Sequence, residues 1–245
     1  MRGVMTGKKI SRAALERELK AAGTAERAIG AARYFKTGKG EYGEGDVFLG
    51  VTVPALRKIA KQYRELEIEE LEMLLRSRTH EHRAAALEIL VEQYRRGDDK
   101  VRRQVFDFYL HNTRYVNNWD LVDGSCRGIV GEHLRTRSRR VLDKLARSES
   151  VWERRIAMVS TMALIRAGET DDALRIAEML LDDEHDLIHK AVGWLLREVG
   201  DCDEAAVLRF LKKHYVRVPR TALRYAIEHF DPERRKRMLK GDFSG

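Results

Sequence analysis

Residues 115–127 read YVNNWDLVDGSCR, setting one tryptophan, two carboxylates and two asparagines side by side. On a helix, Trp119 and Asp123 share a face one turn apart, while Asp120 points about a quarter-turn away. An aromatic face can stack on a nucleobase or sit over a cationic ring, and a carboxylate beside it adds negative charge. Two further tryptophans, Trp152 and Trp194, recur downstream, the first beside the basic pair Arg154 and Arg155. Ordinary packing between helices is the competing reading for each ring.

Other chemistry has less support. His185-Asp186-x-x-His189 imitates a helical zinc motif, with the two imidazoles one turn apart, but it carries Asp where the metalloprotease pattern has Glu. No histidine is spaced to form a nucleophilic triad with Ser or Cys. The glycine-crowded segment GKGEYGEGDVFLG lacks the GxxxxGK spacing followed by Ser or Thr of a phosphate-binding loop and has no strand leading into it, so it reads as a surface or groove-rim element with Phe48 and Leu49 turned into the core. Cys126 and Cys202 have no ligand spacing and are too few for a disulfide framework, which suits a reducing cytoplasm. The opening MRGVMTGKKI has no apolar core of signal-peptide length, and no run is long enough to cross a bilayer.

The elements that must position these residues are helices. Ala, Leu, Arg and Glu dominate, prolines occur only at Pro54, Pro219 and Pro232, and the apolar periodicity is helical throughout. Ser11 caps a first helix that Gly23 stops, a second runs over 25–34, Pro54 occupies the first turn of a third, and Asp231-Pro232-Glu233 starts the last. Between them one pattern recurs: a polar turn, a basic residue, then an apolar helix. It appears around Arg83, Arg155 and Lys190, with Arg83 and Arg155 72 residues apart and Arg155 and Lys190 35 apart. A unit of that length predicts an all-α, HEAT-like α-solenoid of antiparallel helix pairs, curved so that one helix per unit lines a concave face. We expect a basic lead at 1–10 followed by a single domain over 11–240.

A formal net charge of +8, from 47 Lys plus Arg against 39 Asp plus Glu, suits a phosphate-bearing partner. Basic residues recurring near successive helix starts would line one groove, making Arg83, Arg154, Arg155 and Lys190 the expected contacts to a phosphate-bearing partner.

YVNNWDLVD, WERRIAMV, HKAVGWLLREVG and RTALRYAIEHF, with FLGVTVPALRKIAKQY ahead of them, resemble the DNA alkylation repair family of HEAT-like-repeat glycosylases over about 34–230. The resemblance implies a pocket of Trp119, Asp123, Arg155 and Trp194. It further implies hydrolysis of the N-glycosidic bond of cationic N3- or N7-alkylated purines in duplex DNA, without cofactor or metal and without closing the base into a pocket. The implied protein is a cytoplasmic, nucleoid-associated monomer that needs no protein partner and no membrane. A HEAT-repeat module that binds nucleic acid or protein without catalysis is the alternative.

Overall fold

Short-range signals in the chain start several of its helices. Side-chain oxygens of Ser11, Asp98, Asp203 and Asp231 accept the amides of Ala14, Val101, Ala206 and Arg234, each satisfying a first-turn donor with no partner inside its helix. Pro54 and Pro232 occupy first-turn positions where no donor is missed. The computed structural model describes residues 10–243, so all but the last residue of the basic lead lies outside the described residues.

The chain forms two compact units, one up to Ser125 and one from Cys126. The first contains α1 (Arg12–Ala22), α2 (Ala25–Tyr34), α3 (Val53–Ala60), α4 (Ile68–Leu75), α5 (His80–Arg96), α6 (Asp99–His111) and α7 (Trp119–Cys126), which reaches the boundary. The second contains α8 (Glu132–Leu134), α9 (Arg140–Ala146), α10 (Val151–Ser160), α11 (Met162–Ile165), α12 (Asp171–Met179), α13 (Asp186–Cys202), α14 (Glu204–His214), α15 (Arg220–Ala226) and α16 (Pro232–Met238). A π-helical turn, Arg127–Gly131, stands between α7 and α8. No strand occurs among the described residues, where the one β-type pairing is an isolated bridge from Val47 to Thr79. The class is the expected all-α solenoid, in which helices bury apolar faces against close neighbours in sequence.

In each unit a long helix forms the spine. α5 packs against α3, α4 and α6, burying Leu71, Leu74, Ile89 and Leu90. α13 packs against α10, α14 and α15, burying Ile156, Val192, Leu195 and Leu223.

The polar turn before α5, α10 and α13 has one construction. Ser77 Oγ accepts from the Thr79 amide (3.1 Å), Ser148 Oγ from the Ser150 amide (3.1 Å), and Asp183 Oδ1 from the His185 amide (2.9 Å). A basic side chain then reaches back to the same residue's carbonyl: Arg83 Nη1 to Ser77 O at 2.8 Å, Arg154 Nη1 to Ser148 O at 2.9 Å, and His189 Nε2 to Asp183 O. The repeat register is therefore Arg83, Arg154 and His189, one residue earlier than the Arg155 and Lys190 alignment. Its recurring basic residue closes the turn rather than lining a groove.

Gly193 marks where α13 and α15 cross. A Cβ there would lie 2.5 Å from both the Ala222 carbonyl oxygen and Tyr225 Cβ. Gly193→Ala is expected to lower stability by about 1–3 kcal/mol through overpacking. Gly30→Ala, in α2 with nothing within 4 Å of the added methyl, is expected to raise it by about 0.5–1 kcal/mol. Urea unfolding midpoints check both signs.

Candidate functional site

α7 turns Leu121, Val122 and Ser125 inward and leaves Trp119, Asp120 and Asp123 partly exposed. Asn118, itself buried, accepts the Trp119 amide through Oδ1 at 2.8 Å. Ser125 Oγ bonds the Leu121 carbonyl at 2.6 Å and meets Tyr109 Oη at 3.0 Å, anchoring the inner face to α6. Trp119 and Asp123 thus sit one turn apart on the accessible face, as their spacing requires.

Around Trp119 stands an aromatic wall that sequence reasoning did not assemble. Phe35 stacks on the indole at 5.5 Å and 28°, and Tyr34 meets it edge-on at 5.8 Å and 74°. Tyr34 as a whole is 66% exposed, so it stands open to solvent beside the indole. Phe35 stacks in turn on Phe48 at 5.2 Å, and His80 lies against both phenylalanines at 5.0 and 4.6 Å. Tyr42, at the tip of the glycine-rich loop, accepts a hydrogen bond from the Trp119 indole N–H. Burial raises the Tyr42 pKa above the usual phenol value, and the indole bond only partly opposes that. The available signal was the spacing of aromatic residues on both sides of the glycines.

The loop 36–50 is fastened, not slack. The Glu41 and Glu44 carboxylates accept the Gly38 and Gly40 amides, each at 2.8 Å, and the Gly43 amide bonds the Lys36 carbonyl at 3.0 Å. Glu81, buried in the first turn of α5, accepts the amides of Leu49, Gly50 and Val51 at 2.9, 2.8 and 3.2 Å. Gly50 has φ +76, and a Cβ there would strike Thr24 O at 2.3 Å. Phe48 and Leu49 are only partly buried, pinned at the rim rather than in the core.

Beneath the wall lies a charged cluster. His80 Nε2 is 2.8 Å from Asp120 Oδ2, and His80 Nδ1 is 3.2 Å from Asp46 Oδ2. Arg83 Nη2 reaches the same Asp46 oxygen at 2.6 Å. Arg83, one of the expected phosphate contacts, is 3% exposed and committed to Asp46 and Ser77, with its guanidinium facing the protein interior. Asp120, turned away from the Trp119–Asp123 face, pairs with His80.

In the second unit, Arg154 pairs with Asp183 and bonds the carbonyls of Ser148 and Glu149. Arg155 is buried and donates to the Leu187 carbonyl, joining α10 to α13. Trp152 is buried as well, so its ring takes the packing role. Trp194 is partly exposed and donates its indole N–H to Glu198 Oε1 at 2.9 Å. Lys190 forms an i,i+4 pair with Asp186 at 2.7 Å. His185 accepts the Leu187 amide and His189 bonds the Asp183 carbonyl, so both imidazoles of the zinc-like motif serve the helix start.

A family model described as DNA alkylation repair enzyme matches residues 15–230. The chain belongs to that family. A solved structure described as a predicted DNA alkylation repair enzyme from Enterococcus faecalis has a similar fold, with a TM-score of 0.68 at 19% identity, covering 86% of this chain and 97% of that one. Comparison with curated proteins finds no match. Membership of the alkylation repair family covers both units and includes Trp119, Asp123, Arg155 and Trp194 within the matched span. Among the described residues, no helix of this family member is long and apolar enough to cross a membrane.

Glu81 is the loop's principal anchor. Glu81→Ala strands three amides and is expected to lower stability by about 1–3 kcal/mol. Limited proteolysis should then cut within 36–50 before it cuts elsewhere.

Proposed function

We propose that this alkylation repair protein is a monofunctional DNA glycosylase that releases cationic N3- or N7-alkylated purines from duplex DNA. The observation that carries this reading is the pairing of Asp123 with Trp119 on the accessible face of α7, beside the exposed ring of Tyr34. An alkylated purine already bears positive charge, so its departure needs no general acid. When the C1′–N bond breaks, its electron pair neutralises the purine and leaves positive charge on the sugar. The Asp123 carboxylate stabilises that oxocarbenium-like sugar and orients a water. The water forms the new C1′–O bond and gives its proton to Asp123 or to solvent.

The ring faces of Trp119 and Tyr34 attract positive charge on base and sugar through their π-electrons. Holding duplex DNA by its backbone, without enclosing the base, would tolerate bulky adducts and favour lesions that are intrinsically labile. Trp194, also partly exposed, is proposed as an aromatic DNA contact of the second unit. Burial of Arg155 favours a positioning role at the start of α13 over a direct grip on phosphate. Lys190 keeps a proposed phosphate contact, since its side chain is 40% exposed. No motif positions a lysine for Schiff-base chemistry, which supports hydrolysis without strand cleavage.

Release of 7-methylguanine or 3-methyladenine from methylated duplex DNA tests the assignment. Asp123→Asn is expected to slow release by about 10²-fold or more while leaving DNA affinity within about twofold. Equal release by both proteins would remove Asp123 from the chemistry, and release by neither would favour a non-catalytic DNA-binding module.

A further inference from the structure

The chemistry proposed above gives His80 no task, although its side chain is among the most fully engaged in the first unit. It is 3% exposed, and both ring nitrogens face carboxylate oxygens, those of Asp120 and Asp46. A carboxylate oxygen can only accept, so satisfying both contacts requires a proton on each nitrogen. Three segments bring charge to the ring: the glycine-rich loop supplies Asp46, α7 supplies Asp120, and α5 itself supplies Arg83, with Nη2 3.5 Å from Nδ1. The two acids and two cations sum to zero, and Phe35 and Phe48 stack against the imidazole.

The position of this bridge matters because of what surrounds Trp119. Tyr34, Phe35 and Tyr42, which meet the indole, lie on the end of α2 or on the loop, whereas Trp119 itself lies on α7. The indole can hold one orientation only if loop and helix keep a fixed register. Asp120 follows Trp119 directly in sequence, and Asp46 follows Tyr42 by four residues, so a side chain gripping both acids sets that register.

We propose that His80 is a positioning residue for the glycosylase site: as an imidazolium joining Asp46 to Asp120, it locks the glycine-rich loop onto the first turn of α7 and thereby orients Trp119. This rests on the reading of Trp119 and Asp123 as site residues. Neutral imidazole keeps one N–H, so deprotonation turns a lone pair toward one of the carboxylates and opens the register. Burial alone would lower the His80 pKa, but the hydrogen bonds it donates to Asp120 and then Asp46 outweigh it and hold it above the ordinary histidine value. A raised folded-state value means the lock is complete below the unfolded pKa of about 6.5 and is lost as pH rises through the folded one.

The test compares wild type, His80→Gln and Asp46→Asn in three measurements: base release against pH, helical circular dichroism, and the Trp119 indole N–H resonance, assigned with Trp119→Phe. His80→Gln should keep its helicity, shift the Trp119 resonance, lower kcat about tenfold or more with KM within about twofold, and lose the alkaline fall in rate. Asp46→Asn should move that fall to lower pH, because one of the two acids that stabilise the imidazolium is gone. If His80→Gln does not fold, Asp46→Asn and the wild-type titration of the Trp119 resonance decide the matter. Unchanged kcat, pH profile and resonance in the variants would overturn the proposal. Should wild type release no base from any methylated duplex, the glycosylase reading fails, and the resonance still reports whether His80 orients Trp119.

Discussion

An imidazole held between two carboxylates, with an arginine on one of them, joins the glycine-rich loop, α5 and α7 beneath the proposed site. Burying three charged groups, with Asp120 half-buried at their edge, is costly, and the cost is offset only while each cation keeps its acid and the sum stays neutral. Asp46, His80, Arg83 and Asp120 meet that condition with carboxylate contacts of 2.6 to 3.2 Å. Loss of any member would leave an uncompensated charge under the aromatic wall, so the cluster acts as a unit. Through it the loop, the start of α5 and the first turn of α7 become one rigid corner. Trp119 and Asp123 stand on that corner, and the glycine-rich segment, anchored separately by Glu81, becomes part of the proposed site's frame.

A net charge of +8 invites the picture of arginines lining a groove, yet many of them are committed within the protein. Arg83 and Arg154 close the turns before α5 and α10, Arg155 ties α10 to α13, and Arg139 pairs with Glu169 and Asp172. Exposed cations do occur, for example Lys212 in α14, Arg237 in α16 and Lys240 just beyond it, near the C-terminal end. A basic residue that recurs at a fixed helical position is therefore explained first by the turn it must satisfy. The same economy governs the histidines, since His185 and His189, which look like metal ligands in sequence, satisfy the amide of Leu187 and the carbonyl of Asp183.

Helix starts and stops, the all-α class and the shared face of Trp119 and Asp123 were legible in the chain because they arise from interactions reaching no further than about one turn. Ser11, Asp231 and the first-turn prolines act on amides within a few residues, and an i,i+4 pair has its geometry set by the helix itself. The repeat was legible for the same reason, although its register was one residue out: Arg154 and Arg155 are equally basic, and only a bond to Ser148 distinguishes them. The partners of Trp119, the inward turn of Arg83 and the grip of His80 lay beyond that range. His80 meets acids 34 and 40 positions away, and no periodicity encodes which distant carboxylate an imidazole will find. Those pairings follow from how the helices pack and where the loop closes, because a buried charge takes whichever opposite charge the fold delivers within hydrogen-bonding distance.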